Sequence, residues 1–192
     1  HHMEIDFGTL RPADCYKVLA CLVTPRPIAW VTTVNDAGVV NAAPLSFFNC
    51  FGSNPPILAF APGNRKPGLP KDTARNIRKG REFVVNIADE ALAEQMVATS
   101  TALPYGESEL ETTGLSAAAS TAIAVPRIEE APVAFECREW ATLEIGFNRM
   151  VVGTVHHAHI RDGLLDPETL RLNHGLFHPV GRMAAPDWYC RT

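Results

Sequence analysis

Short apolar runs separated by turn residues fill this sequence, and they leave few folds open. Ile28 to Val34, Ile57 to Ala61 and Phe83 to Ile87 have the length of strands and are bounded by Pro, Gly, Asn or Asp. Two longer runs, Val133 to Phe147 and Met150 to Ile160, flank Asn148-Arg149 and predict a hairpin turning there. Asn35-Asp36-Ala37-Gly38 predicts a second hairpin turn, with Val39-Val40 opening the return strand. Strands at regular spacing with few helices between them predict a mainly β fold with peripheral helices, closed or partly closed into an antiparallel barrel. Ile28 to Val34 is apolar on both faces, so it should be buried on both sides, as in a barrel that also carries an interface.

Helical patterns are few. Arg11 to Leu22 has Pro12 near its start and an apolar stripe of Val18, Leu19 and Leu22. Thr73 to Lys79 follows Asp72 as an expected N-cap and precedes Gly80 as the expected stop. A third helix is expected from about Glu90 to Ala98. Pro62 to Pro70 reads as a loop, and Tyr105 to Ala124 as a long excursion covering part of a pocket.

With 192 residues, 46% of them hydrophobic and 20% charged, the chain has the material for one soluble domain. His1-His2 ahead of Met3 read as a purification-tag remnant, which leaves residues 3–192 as the expected domain. A net charge of −4 argues against nucleic acid or an acidic membrane as a general partner. Arg65, Lys66, Lys71, Arg75, Arg78, Lys79 and Arg81 nonetheless fall close together, most of them expected as solvated charges. Five scattered cysteines without a C-x-x-C spacing fit reduced thiols, and no long apolar stretch or leader is visible. The expectation is a cytoplasmic protein.

The chemistry-bearing residues cluster in the first half. Thr32, Thr33, Ser46 and Asn49 set short donors and acceptors among apolar strand residues, with Trp30, Phe47 and Phe48 as flat area beside them. Lys71 stands just before an expected helix N-terminus, where a cation opposes the helix dipole unless an anion binds there too. Thr73 can add a hydroxyl. His157 and His159 share a strand face, but no third ligand is suggested and no metal is expected. Glu107, Glu109 and Glu111 read as a solvated acidic face. Glycine-rich nucleotide loops and nucleophile elbows are missing from the sequence.

Three segments in order, Arg26-Pro27-Ile28-Ala29-Trp30-Val31-Thr32-Thr33, Asn41-Ala42-Ala43-Pro44-Leu45-Ser46-Phe47-Phe48-Asn49 and Lys71-Asp72-Thr73-Ala74-Arg75-Asn76-Ile77, resemble the flavin reductase-like family of FMN-binding split-barrel proteins. Weaker matches continue through Phe83-Val84-Val85-Asn86-Ile87 and Pro126-Arg127-Ile128 with Glu136-Cys137 to Pro179-Val180-Gly181-Arg182-Met183. The resemblance implies a Greek-key split-barrel homodimer with FMN near the subunit interface. It implies that Trp30, Val31, Thr32 and Thr33 line the flavin ring beside Phe47 and Phe48. Ser46 and Asn49 would hold the ribityl and phosphate region, and Lys71, Asp72 and Thr73 the phosphate end. Arg182, Trp188 and Tyr189 would stand near the same pocket, although Ala184-Ala185-Pro186 replace a glycine pair common in the family.

The activity so implied is hydride transfer from NAD(P)H to FMN, carried by the cofactor without a catalytic side chain. Reduced flavin would go to a monooxygenase or an electron-transfer protein. Three alternatives stay open on the residues: a flavoredoxin-like FMN carrier reduced by a protein donor, a pyridoxamine-phosphate-type oxidase, and a barrel that has lost its cofactor.

Overall fold

Seven strands form one antiparallel sheet: β1 (Ala29–Val34), β2 (Val40–Leu45), β3 (Phe48–Ser53), β4 (Pro56–Phe60), β5 (Glu82–Ile87), β6 (Val133–Ile145) and β7 (Asn148–Ile160). The computed structural model describes residues 1–66, 69–100, 107–184 and 189–192, with 64–66, 69 and 70 described by backbone alone. In space the strands run β2-β1-β5-β6-β7-β4-β3. The two edges, β2 and β3, are therefore neighbours in the chain, joined only by Ser46 and Phe47. A link that short spans roughly 10 Å, so the sheet must curl until its edges nearly meet. No ladder joins them, and the barrel is split along that line.

The barrel interior explains which side chains are apolar. Ala29, Val31, Leu45, Leu58, Phe60, Phe83, Val85, Cys137 and Val151 meet there, with Phe48 packed against them. Ile77 closes one end from α2 (Asp72–Gly80). Outside, Ile28, Trp30 and Ala42 pack against Leu92, Met96 of α3 (Ala93–Ala98) and Leu110 of α4 (Glu109–Thr113). Both faces of β1 are thus covered within one chain, and its doubly apolar pattern requires no interface. The described part of the long excursion, residues 107–124, lies over the outer sheet: Ile123 and Val125 pack on Val84 and Ala134. It lines none of the clefts described below.

Several boundaries differ from expectation. The β6–β7 turn is Gly146-Phe147, two residues earlier than Asn148-Arg149, because Gly146 takes the positive φ (59°) that a tight hairpin turn needs at its first position. Helix α2 starts at Asp72 with Lys71 as N-cap, so Asp72 is a first-turn residue. Its left-handed C-cap is Arg81 (φ 63°) in place of Gly80. That conformation is held by Arg81 N–H to Ile77 O and by Glu139 N–H to Arg81 O, 2.8 Å each. Within the expected loop, Asn64–Lys66 pairs with Leu69–Pro70. Helix α1 (Pro12–Leu22) buries Ala20, whereas Leu19 and Leu22 of its apolar stripe stay exposed.

Candidate functional site

Ser46 and Phe47 bridge the split, and two clefts open on either side of them. The larger, about 400 Å³, is lined by Ser46, Phe47, Phe48 and Asn49 at the split, Ala59 and Ala61 beyond them, Met150 of β7, and Leu19 and Val23 of α1. Its volume falls in the range of small-molecule sites, and its walls are apolar with a few polar groups at one side. Asn49 Oδ1 accepts from the Cys50 N–H at 2.8 Å, which fixes the amide plane and leaves its NH₂ to face outward. The second cleft, about 260 Å³, is lined by Tyr16, Ile28, Pro44, Ser46, Val97, Ser100, Arg182 and Tyr189. Arg182 lies over the Tyr189 ring, 4.7 Å from its centroid.

Arg26 forms the wall between them. Its Nη1 donates to the carbonyls of Ala20 (2.6 Å) and Val23 (2.8 Å), Nη2 to that of Met183 (3.3 Å) and Nε to Ser46 Oγ (3.4 Å). A buried cation here satisfies carbonyls at the end of α1 and fixes the Ser46 hydroxyl between the clefts.

Ser46, Phe47, Phe48 and Asn49 line the larger cleft, and Arg182 and Tyr189 line the adjoining one. Trp188 lies outside the described residues. The proposed ring wall is different. Trp30, Val31, Thr32 and Thr33 are fully buried on a central strand. Trp30 Nε1 donates to Thr99 Oγ1 (3.0 Å), Thr32 Oγ1 donates to Pro126 O (2.7 Å), and Thr33 Oγ1 accepts from Asn76 Nδ2 (3.0 Å). Polar atoms on a strand covered on both faces must find partners inside the protein, and these have done so. None of the four side chains lines either cleft.

Thr73 is also turned inward. Its hydroxyl donates to Asn41 Oδ1 (3.1 Å), while Asn41 Nδ2 donates to Glu109 Oε1 (2.8 Å) and Ala42 N–H to Glu109 Oε2 (3.1 Å). A carboxylate only accepts, so it orients the Asn41 amide, and the amide oxygen then takes the Thr73 proton. Asp72 is buried as well. Lys71, by contrast, is exposed and rests against Gly63, where an added Cβ would lie 3.5 Å from Nζ. Gly63 follows Ala61 of the larger cleft by two residues, so Lys71 is the member of the expected phosphate set that faces the chain leaving that cleft.

Of the other basic residues, Lys79 pairs with Asp36, and Arg81 with Glu139 at 3.2 Å, while the side chains of Arg65 and Lys66 lie outside the described residues. Arg78 and Arg81 line a third cleft of about 280 Å³ with Glu139, Glu144 and Arg149.

Two buried carboxylates were not singled out as sites. Glu109, taken with a solvated acidic face, is the buried partner of Asn41. Glu136 is fully buried and accepts N–H bonds from Thr121 (2.8 Å), Ala122 (2.6 Å) and Ile123 (3.2 Å) and a bond from His159 Nε2 (2.5 Å). Burial pushes its carboxyl up, but these four donors outweigh it and hold it down at about 2. Strand register faces Glu136 with His157, which supplies the third ligand-type group that the two histidines lacked in sequence.

Comparison with known proteins agrees with this architecture. The family described as flavin reductase like domain matches residues 21–181. A protein of Deinococcus radiodurans is 40% identical over 196 residues, covering 100% of this chain and 86% of its own. Nitrilotriacetate monooxygenase component B from Bacillus cereus superposes with a TM-score of 0.95 at 32% identity, covering 100% of this chain and 96% of that one. The 2-nitrobenzoate 2-nitroreductase NbaA of Pseudomonas fluorescens superposes with a TM-score of 0.89 at 39% identity, covering 99% and 92%.

Proposed function

The chain belongs to the flavin reductase-like family, and from that premise we propose that it is an FMN-dependent oxidoreductase reduced by NAD(P)H. The observation that carries this reading is the cleft of about 400 Å³ at the barrel split, where Ser46, Phe47, Phe48 and Asn49 converge. Its shape and donor set suit a flat ring with a polar tail. Phe47 and Phe48 offer apolar area to the ring. Ser46, held by Arg26, and the outward NH₂ of Asn49 offer hydrogen bonds to the ribityl chain, and Lys71 offers a charge-assisted contact to the phosphate. FMN in that place would supply the electron chemistry, accepting a hydride and releasing electrons onward. The protein's part is to hold, orient and screen it from water.

The natural recipient of the electrons is a partner monooxygenase, in keeping with the component B protein of Bacillus cereus. A second reading is favoured by NbaA at 39% identity: direct reduction of an aromatic nitro compound on the same cleft. Anaerobic addition of NADH or NADPH to the FMN-loaded protein tests the first step, with bleaching of the flavin band expected. A flavin that binds but is bleached by neither nucleotide overturns it. Reoxidation by 2-nitrobenzoate in the absence of oxygen then separates the two recipients.

We propose further that the protein is a homodimer. Tyr16, Leu19, Leu22 and Val23 of the α1 region and Phe47 and Phe51 beside the cleft are all exposed in the single chain, Leu22 by 76% and Phe51 by 63%. An apolar patch on that scale marks an interaction surface, and a second copy would close the open side of the flavin cleft. Sedimentation of a monomer at micromolar concentration overturns this.

A further inference from the structure

His157 and His159 stand on one face of β7, their ring centroids 5.1 Å apart. The β6–β7 ladder sets Glu136 opposite His157, and one ligand atom from each of the three residues lies within 4.8 Å of the others. We propose that Glu136, His157 and His159 form a zinc-binding site, separate from the flavin cleft. Two imidazoles and one carboxylate are the donor set zinc takes in sites that keep a fourth position for water.

The frame exists without the metal. Glu136 is fixed by the N–H groups of Thr121, Ala122 and Ile123. These are the outer partners that hold a ligating carboxylate in place. His159 Nε2 and Glu136 Oε2 are hydrogen-bonded over 2.5 Å. Zinc takes the place of that hydrogen bond. The two atoms then separate to roughly 3.3 Å, the spacing set by bonds of about 2.0–2.1 Å at a tetrahedral angle. The three backbone bonds to Glu136 persist. His157 is exposed and closes onto the ion by turning its own side chain.

His156 is the extra residue of the β-bulge between Glu136 and Cys137, and its ring is engaged by Thr154 Oγ1 at 2.8 Å and faces Arg138 Nη1 at 3.5 Å, so it takes no part. The site lies seven to nine residues along β7 from Met150 of the flavin cleft, roughly 20–30 Å at strand rise. Zinc here would tie β6, β7 and Thr121–Ile123 together without touching the flavin.

The test is calorimetric titration of zinc chloride into the full chain from Met3 onward. His1 and His2 are removed because they add chelating groups next to Glu4. One zinc per chain is expected, with affinity falling about tenfold or more in His157→Ala and unchanged in His156→Ala. His157 is exposed, so its variant keeps the fold. Absence of saturable one-to-one binding up to about 0.1 mM zinc overturns the proposal. So does equal weakening by His156→Ala and His157→Ala. Both results are read without flavin and leave the oxidoreductase reading untouched.

Discussion

Asn41 donates from its amide nitrogen to Glu109 Oε1 over 2.8 Å, both residues buried and 68 positions apart in the chain. Through this pair α4 is tied to β2, and through Asn41 Oδ1 and Thr73 the same line reaches the first turn of α2. Glu109→Ala removes the acceptor of both Asn41 Nδ2 and Ala42 N–H and leaves two buried donors without partners. The expected loss of stability is about 2–5 kcal/mol in urea denaturation. Glu109→Gln keeps the shape but turns an NH₂ towards one of those donors, and should cost about 1–3 kcal/mol. An unchanged midpoint in both variants would refute the role given to this pair.

Thr33 and Asn49 should separate folding from flavin binding. Thr33→Val leaves Asn76 Nδ2 without the acceptor it reaches at 3.0 Å. A loss of about 1–3 kcal/mol in stability follows, with FMN affinity unchanged in the folded fraction. A fluorescence titration showing FMN affinity falling in step with stability would return Thr33 to the ring wall.

Asn49 and Lys71 are both exposed, so the opposite pattern is expected of Asn49→Ala and Lys71→Ala. Each should weaken FMN by about 1–3 kcal/mol while leaving the denaturation midpoint in place. The Lys71 effect should disappear when riboflavin replaces FMN, because only the phosphate meets the ammonium. Equal losses for the two flavins would remove Lys71 from the phosphate site.

Most strands of the sheet were legible in the sequence because a strand buried in a barrel wall leaves a local mark, a short apolar run between turn formers; β3, exposed along most of its length, leaves none. Ser46 to Asn49, which line the larger cleft, were legible because hydroxyl and amide groups break such a run. Trp30 to Thr33 carry the same mark for a different reason. Their polar atoms meet Thr99, Pro126 and Asn76, partners far along the chain that no local pattern reveals. Glu109 and Glu136 were hidden for the same cause. A buried carboxylate and a solvated one read alike until strand register and the covering segment are known. The turn at Gly146 was missed because Asn148 is an equally good turn former two residues on.

Thiol chemistry should distinguish the cysteines by depth. Cys137 is buried in the barrel, and burial, then the neighbouring Glu136 charge, pushes its thiol up to about 12. Between pH 7 and 9 it should stay protonated and unlabelled by a thiol-reactive disulfide, whereas exposed Cys21 and Cys50 react. Mass spectrometry after a timed labelling pulse reads the pattern. Labelling of Cys137 at the rate of Cys50 would mean that the barrel opens at that strand.

Gly153 of β7 leaves room for an aromatic ring. A Cβ there would lie 2.4 Å from Phe83 Cζ and 3.2 Å from the Arg138 carbonyl oxygen. Phe83 cannot retreat easily, since it is fully buried and meets Phe60 edge-on, with centroids 5.2 Å apart. Gly153→Ala should therefore cost at least about 1–3 kcal/mol, the usual penalty of overpacking. If the ring is the cause, the cost must shrink once the ring is gone. Phe83→Leu alone also destabilises, by opening space in the core, but Gly153→Ala added to it should be cheaper than in the parent by about 1 kcal/mol or more. Strictly additive losses in that double-mutant cycle, measured by urea denaturation, would place the strain on the Arg138 carbonyl and the β6–β7 ladder instead.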